Sequence, residues 1–239
     1  MNPTTMVVII LCSAIGIVGL AALGRKIIQG ARGDPAIWEG KIKRFTKDDE
    51  VNMPPSGSIV FTGSSSIRFW KTLEDDMAPL PVINRGFGGS QIYQVTHYAE
   101  CIILPYKPWG VLLYAGENDI AGVLFSHKKS PDEVLEDFKI FCQVIHGEYN
   151  QIPIYFVSIK PPKRRRKAWP DMQSANKLIE NYCQGDQRLH YIDILPGMFN
   201  ADGSLRGELF KWDGIHLNND GYRLWTEILR PILSRDFNS

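Results

Sequence analysis

Ser58-Ile-Val-Phe-Thr-Gly-Ser-Ser-Ser-Ile-Arg68 is the stretch that decides the fold. Its first five residues, Ser58 to Thr62, are uncharged and rich in β-branched and aromatic side chains, the pattern of a fully buried strand. Gly63 and three serines end the run, and a helix is expected from Ser66 to Met77. An apolar strand that feeds straight into a helix belongs to a parallel sheet covered on both faces.

The alternation continues outward. Further strands are expected at Pro81 to Asn84, Trp109 to Tyr114, Ile152 to Ile159 and Leu189 to Ile194. Helices are expected at about Gln91 to Leu104, Met172 to Cys183 and Asn219 to Leu233. Ser130-Pro131-Asp132-Glu133 is a helix start with Ser as cap and Pro in the first turn, leading to about Glu148. Strands alternating with helices make an α/β fold of about five parallel strands between helical layers. No internal repeat or low-complexity tract interrupts it.

Composition narrows the function. With 239 residues the chain fits one α/β domain and a short appendage. A net charge of +1 gives no global pull toward nucleic acid. Cys12 lies in the apolar N-terminal run, and Cys101, Cys142 and Cys183 are widely spaced. Neither a disulfide framework nor a Cys-x-x-Cys metal site fits, so buried structural thiols are expected.

Met6 to Gly24 carries no charge and is about long enough to cross a bilayer as a helix. A cleaved signal peptide is the competing reading, but Met1 to Thr5 has no Lys or Arg, and Arg25-Lys26 follows the small-residue site. Residues 1–28 are therefore expected to be a single-pass anchor, and the polar residues 29–55 a juxtamembrane linker with one short helix near Ala36 to Phe45. Arg25, Lys26, Arg32, Lys41, Lys43 and Arg44 all follow the span. The positive-inside rule then puts the catalytic domain on the cytoplasmic face, with export as the alternative.

Four segments carry chemistry: Phe61-Thr-Gly-Ser-Ser-Ser-Ile-Arg68, Asn84-Arg-Gly-Phe-Gly-Gly-Ser90, Tyr114-Ala-Gly-Glu-Asn-Asp-Ile120 and Trp212-Asp-Gly-Ile-His-Leu-Asn218. Each alone has an ordinary reading as a helix cap, a turn or a surface loop. All four fall after strands, where a doubly wound sheet binds its ligands.

Together, in this order, they resemble the SGNH or GDSL-type hydrolases, from about Ser58 to the C-terminus. The resemblance implies a flavodoxin-like three-layer α/β/α domain over residues 56–239. It also implies a nucleophile at Ser65, an Asp213 and His216 pair, and an oxyanion hole of Ser65, Gly89 and Asn118. Gly63-Ser64-Ser65 stands where family members often have Gly-Asp-Ser, and the Gly-x-Ser register selects Ser65 from the three serines.

The chemistry is coherent. A serine hydroxyl needs a base to take its proton. His216 is placed for that role, oriented by Asp213. A helix N-terminus at Ser65 favours the developing oxyanion. An α/β-hydrolase would show Gly-x-Ser-x-Gly, which is absent around Ser65.

A membrane-anchored esterase is expected, cleaving carboxylic esters or thioesters through an acyl-Ser65 intermediate without metal or cofactor. An O-acyltransferase acting on a sugar or lipid hydroxyl, and a non-catalytic binding module, are the alternatives. The ester is expected to be small or lipid-derived. The basic run Lys163 to Lys167 reads as a solvated face, or as a contact for phospholipid head groups or an anionic substrate. His97, His127, His146 and His190 have no partner motif and are expected to be packed or exposed.

Overall fold

The computed structural model describes residues 33–123 and 126–237. Five parallel strands form one sheet: β1 (Ile59–Gly63), β2 (Val82–Gly86), β3 (Gly110–Tyr114), β4 (Ile154–Val157) and β5 (Leu189–Ile192). Their spatial order is β2-β1-β3-β4-β5, the flavodoxin-like arrangement with its switch point between β1 and β3. β1, β3 and β4 are buried along their whole length, whereas β2 and β5 are partly exposed, as edge strands are.

Ten helices surround the sheet among the described residues: α1 (Glu39–Val51), α2 (Ser65–Arg68), α3 (Leu73–Met77), α4 (Ile92–His97), α5 (Ala99–Ile102), α6 (Glu117–Ala121), α7 (Pro131–Glu148), α8 (Trp169–Cys183), α9 (Leu195–Met198) and α10 (Asn219–Phe237). The two-residue period of the strands sorts the core into two layers. Val60, Val111, Leu113, Ile154 and Phe156 meet α1, α4, α5, α7 and α8. Ile59, Phe61, Leu112, Tyr114, Tyr155 and Val157 meet α2, α3, α9 and α10. The helical period is equally plain in α10, whose buried Tyr222, Trp225, Leu229 and Leu233 recur every three or four residues.

Four expectations change. The helix expected over Ser66 to Met77 is two helices, α2 and α3. Trp70 turns into the core between them, stacks on Tyr222 and donates its indole N–H to Asp76 at 2.6 Å, so packing overrides helix continuity. The helix expected over Gln91 to Leu104 breaks at Tyr98, whose hydroxyl donates to the carbonyl of Pro35 at 2.9 Å.

The segment read as linker is packed on the domain. After a 3-10 turn at Pro35–Trp38, α1 buries Ile42. Asp49 of α1 pairs with Arg85 of β2 at 2.6 Å. A polar helix that buries one narrow stripe looks like linker in sequence. The thiols divide as well: Cys142 and Cys183 are buried, but Cys101 is exposed. The apolar run Met6 to Gly24 lies outside the described residues, and no helix among those is long and apolar enough to cross a membrane.

Register positions the site. Gly63 of β1 pairs with Gly86 of β2 and Tyr114 of β3, so three strand ends are level. The loops that follow these ends therefore start side by side.

Candidate active site

Ser65 opens α2 directly after β1, with Ser64 as N-cap in extended conformation. Gly63 holds φ at +120°, and a Cβ there would lie 2.0 Å from the carbonyl oxygen of Tyr114. Only glycine permits this tight exit from the strand. The amide of Ser64 donates to that same carbonyl at 2.9 Å, and the amide of Phe87 donates to the carbonyl of Gly63 at 2.9 Å. The Gly63-Ser64-Ser65 turn is thus tied to both neighbouring strand ends.

Asp213 and His216 reach Ser65 from the loop before α10. The loop is closed by hydrogen bonds from Lys211 N–H to the His216 carbonyl at 2.8 Å and from Gly214 N–H to the Lys211 carbonyl at 2.9 Å. His216 Nε2 lies 3.0 Å from Ser65 Oγ, and His216 Nδ1 lies 2.7 Å from Asp213 Oδ2. The other carboxylate oxygen of Asp213 accepts the backbone N–H groups of Ile215 at 2.8 Å and His216 at 2.9 Å. Partial burial pushes the Asp213 carboxyl up, but the His216 side chain and these two amides outweigh it and hold it down at about 2. An ionised carboxylate only accepts, so Nδ1 carries a hydrogen and Nε2 is left to accept from Ser65. Phe69 packs nearly perpendicular to the imidazole, with ring centroids 4.9 Å apart.

The third and fourth parts meet from the other side. Asn118, in α6, is 5% exposed. Its Nδ2 donates to the Ser90 carbonyl at 3.1 Å, joining it to the loop that carries Gly89. The amide has a second N–H on the same nitrogen. Gly89 has φ +81°, and a Cβ there would come within 3.1 Å of the Trp38 ring. Trp38 is fixed by donating its indole N–H to Gln94 at 2.9 Å. All five residues singled out in the sequence therefore stand on one rim: Ser65, Asp213 and His216 in direct contact, Gly89 and Asn118 beside one another across Ser90.

Two contributions were not legible. Trp38 lies in the segment read as linker. Arg165 lies in the basic run Lys163 to Lys167, yet it points inward and donates to Glu117 Oε1 at 3.0 Å and Asn118 Oδ1 at 3.1 Å. Glu117 also pairs with Lys160, and both are buried. The signal was Glu117 itself, a carboxylate within a buried block that demands a cation. Nothing in the run told which basic residue would supply one. Lys163, Arg164, Arg166 and Lys167 are exposed, as a solvated face would be. His146 contacts the Ile152 carbonyl at 3.1 Å and His190 stacks on Tyr155, so both are packed. Among the described residues no group of three or more His, Cys, Asp or Glu side chains is placed to hold a metal ion.

A flavodoxin-like sheet with a Ser, His and Asp relay at its strand ends defines the class of ester-bond hydrolases. Residues 57–224 match the GDSL-like Lipase/Acylhydrolase family, and the chain belongs to that family. It is 24% identical over 221 residues to platelet-activating factor acetylhydrolase IB subunit alpha1 of Homo sapiens, with 87% of each chain covered. The same figures hold for the protein of that name in Pongo abelii. Among solved structures, a GDSL-like lipase from Bacteroides thetaiotaomicron superposes with a TM-score of 0.70 at 21% identity, covering 82% of this chain and 98% of that one. A family 3 carbohydrate esterase of Clostridium thermocellum superposes with a TM-score of 0.57 at 14% identity, covering 75% and 98%. At such identities these structures speak for the fold.

Proposed function

We propose that the chain is a membrane-tethered serine acylhydrolase that cleaves carboxylic esters or thioesters through an acyl-Ser65 intermediate. The observation that carries this is the relay from Ser65 Oγ to His216 Nε2 at 3.0 Å and from His216 Nδ1 to Asp213 at 2.7 Å. In it, Ser65 Oγ attacks the acyl carbon while His216 Nε2 takes its proton. Asp213 stays ionised and balances the imidazolium. The tetrahedral oxyanion lies toward the N–H groups of Ser65 and Gly89 and the free N–H of Asn118 Nδ2. Collapse expels the alcohol, which leaves with the proton from His216. Water then repeats the sequence and releases the acid.

The tether is the apolar run Met6 to Gly24, with the catalytic domain on the cytoplasmic face by the positive-inside rule. An amphiphilic ester suits the rim. Trp212, beside the triad, is 88% exposed. A Cβ on Gly214 would lie 3.2 Å from Lys163 and 3.3 Å from Arg164, so the basic loop abuts the catalytic loop. Lys211 stands over Phe69, 5.1 Å from its centroid. Exposed Trp and unpaired cations beside a catalytic mouth favour a substrate presented at an anionic lipid surface. The acetylhydrolase name of the relatives favours a short acyl group.

A p-nitrophenyl ester series from acetyl to long acyl chains tests the reading. Release of free acid into water is expected, fastest for short chains. Acyl transfer to an added alcohol in preference to water would make it an O-acyltransferase, and a folded chain that turns over nothing would make it a binding module. Carbonate-washed membranes should retain the full chain, and a mature N-terminus near Arg25 would remove the tether.

A further inference from the structure

Behind Asn118 lies a charged cluster that the acyl-transfer scheme above does not use. Lys160 and Glu117 are an ion pair whose side chains are 1% and 5% exposed. Arg165, 21% exposed at its side chain, divides one guanidinium nitrogen between Glu117 Oε1 at 3.0 Å and Asn118 Oδ1 at 3.1 Å. The Tyr114 hydroxyl adds a contact to Glu117 at 3.3 Å. Burying charges costs several kcal/mol per ion before pairing, and the arrangement is often no more stable than an apolar one. Stability alone is thus a poor reason for it.

We infer that Arg165 is the positioning residue of the oxyanion hole, acting through the side-chain oxygen of Asn118. This rests on the acyl-Ser65 reading of the site. An Asn amide has two faces of nearly equal shape, and only one turns N–H toward the nucleophile. A cation on Oδ1 and a carbonyl on Nδ2 select that face, because the flipped amide would set NH₂ against the guanidinium and oxygen against the Ser90 carbonyl. The cation also polarises the amide and strengthens its remaining N–H as a donor, since linked hydrogen bonds reinforce one another. Two cations face one carboxylate in the cluster, which leaves one positive charge uncompensated behind Asn118. The oxyanion is the charge that compensates it, and it exists only as the acyl carbon becomes tetrahedral. The benefit therefore falls on the transition state and not on bound substrate. Glu117, itself paired with Lys160, holds the guanidinium in place.

The test is a double-mutant cycle on the full-length chain, read as kcat and KM on a neutral fluorogenic ester. Arg165→Met should lower kcat about tenfold with KM unchanged, a fraction of the usual loss of about 10²- to 10³-fold for a whole oxyanion donor. In the Asn118→Ala background the same change should cost less than about twofold, because the amide through which it acts is gone. A loss of equal size in both backgrounds would overturn the inference, as would a rise in KM with kcat intact, which would make Arg165 a substrate-binding residue. If circular dichroism shows that Arg165→Met is misfolded, Arg165→Gln, which removes the charge but keeps a polar side chain beside Glu117, is read on the same cycle with the same criterion. Labelling of the wild-type chain by a fluorophosphonate reports separately on Ser65, so failure of the acyl-Ser65 reading and failure of this inference give different results.

Discussion

The two edges of the site are built by opposite means. On the triad edge the base and its orienter are local: Asp213 and His216 are three residues apart in a half-exposed loop, both oxygens of Asp213 bond within that loop, and a single contact, to Ser65, reaches across 151 residues. The oxyanion edge is buried and assembled at long range. Asn118 bonds to Ser90 across 28 residues and to Arg165 across 47, and Glu117 bonds to Lys160 across 43. A reactive base needs freedom to exchange protons with water, and a loop at the rim provides it. An oxyanion donor is useful only if it is already fixed when charge develops, and burial within a charged cluster fixes it. Separate substitutions can therefore break each edge by itself.

The largest effect is expected on the triad edge. His216→Ala should lower kcat by on the order of 10³-fold or more, measured by stopped-flow on a p-nitrophenyl ester, by analogy with other triads. Ser65→Ala should do at least as much, whereas Ser64→Ala and Ser66→Ala should keep turnover. Asn118→Ala should cost about 10²- to 10³-fold in kcat with little change in KM. If instead KM rose and kcat held, Asn118 would bind ground-state substrate, and the contrast between the edges would collapse. Gly89→Ala comes next. Its Cβ would press on Trp38 at 3.1 Å, and φ of +81° is strained for any side chain. Strain of about 1–3 kcal/mol is expected from the backbone, visible as a lower urea midpoint together with reduced kcat.

The smallest effect sharpens the comparison through two carboxylates. Asp213 is held at about 2, while burial pushes Asp119 up to about 7 against the opposing pull of Lys129 and the Ile92 amide. Both start from an unfolded value near 3.8. Asp213, lowered on folding, contributes stability that is present above about pH 4 and lost as pH falls through about 2. Asp119, raised on folding, contributes stability that is present below about pH 4 and lost as pH rises through about 7. Urea midpoints between pH 2 and pH 8 should therefore lose their acid slope in Asp213→Asn and their neutral slope in Asp119→Asn. The same pH profile in both variants would show that the two environments do not differ as described.

This contrast also accounts for what the sequence revealed. The triad edge was legible because Asp-x-x-His is a spacing, and spacing survives in one dimension. The sheet was legible because β1, β3 and β4 are apolar throughout, and a run such as Ile59 to Phe61 has few other fates. Gly89 and Asn118 were singled out by the resemblance of their blocks to the family's, since each setting alone reads as a turn or cap. Arg165 was not, because a run of five basic residues gives no sign of which one turns inward. A helix near Ala36 to Phe45 was expected, but the packing of α1 and Trp38 on the domain was not legible, because a helix that buries little more than Ile42 against the core is charged over most of its surface. The break at Trp70 was missed since its cause is the stacking of Trp70 on Tyr222, far along the chain.

The central claim is that Ser65, of three consecutive serines, carries the acyl group. The most direct measurement is intact-protein and peptide mass spectrometry of the full-length chain after reaction with a fluorophosphonate, with Ser64→Ala, Ser65→Ala and Ser66→Ala alongside. The account predicts one adduct per chain, mapped to Ser65, retained in Ser64→Ala and Ser66→Ala and absent from Ser65→Ala. An adduct that persists in Ser65→Ala, or that disappears in folded Ser64→Ala or Ser66→Ala, would contradict it.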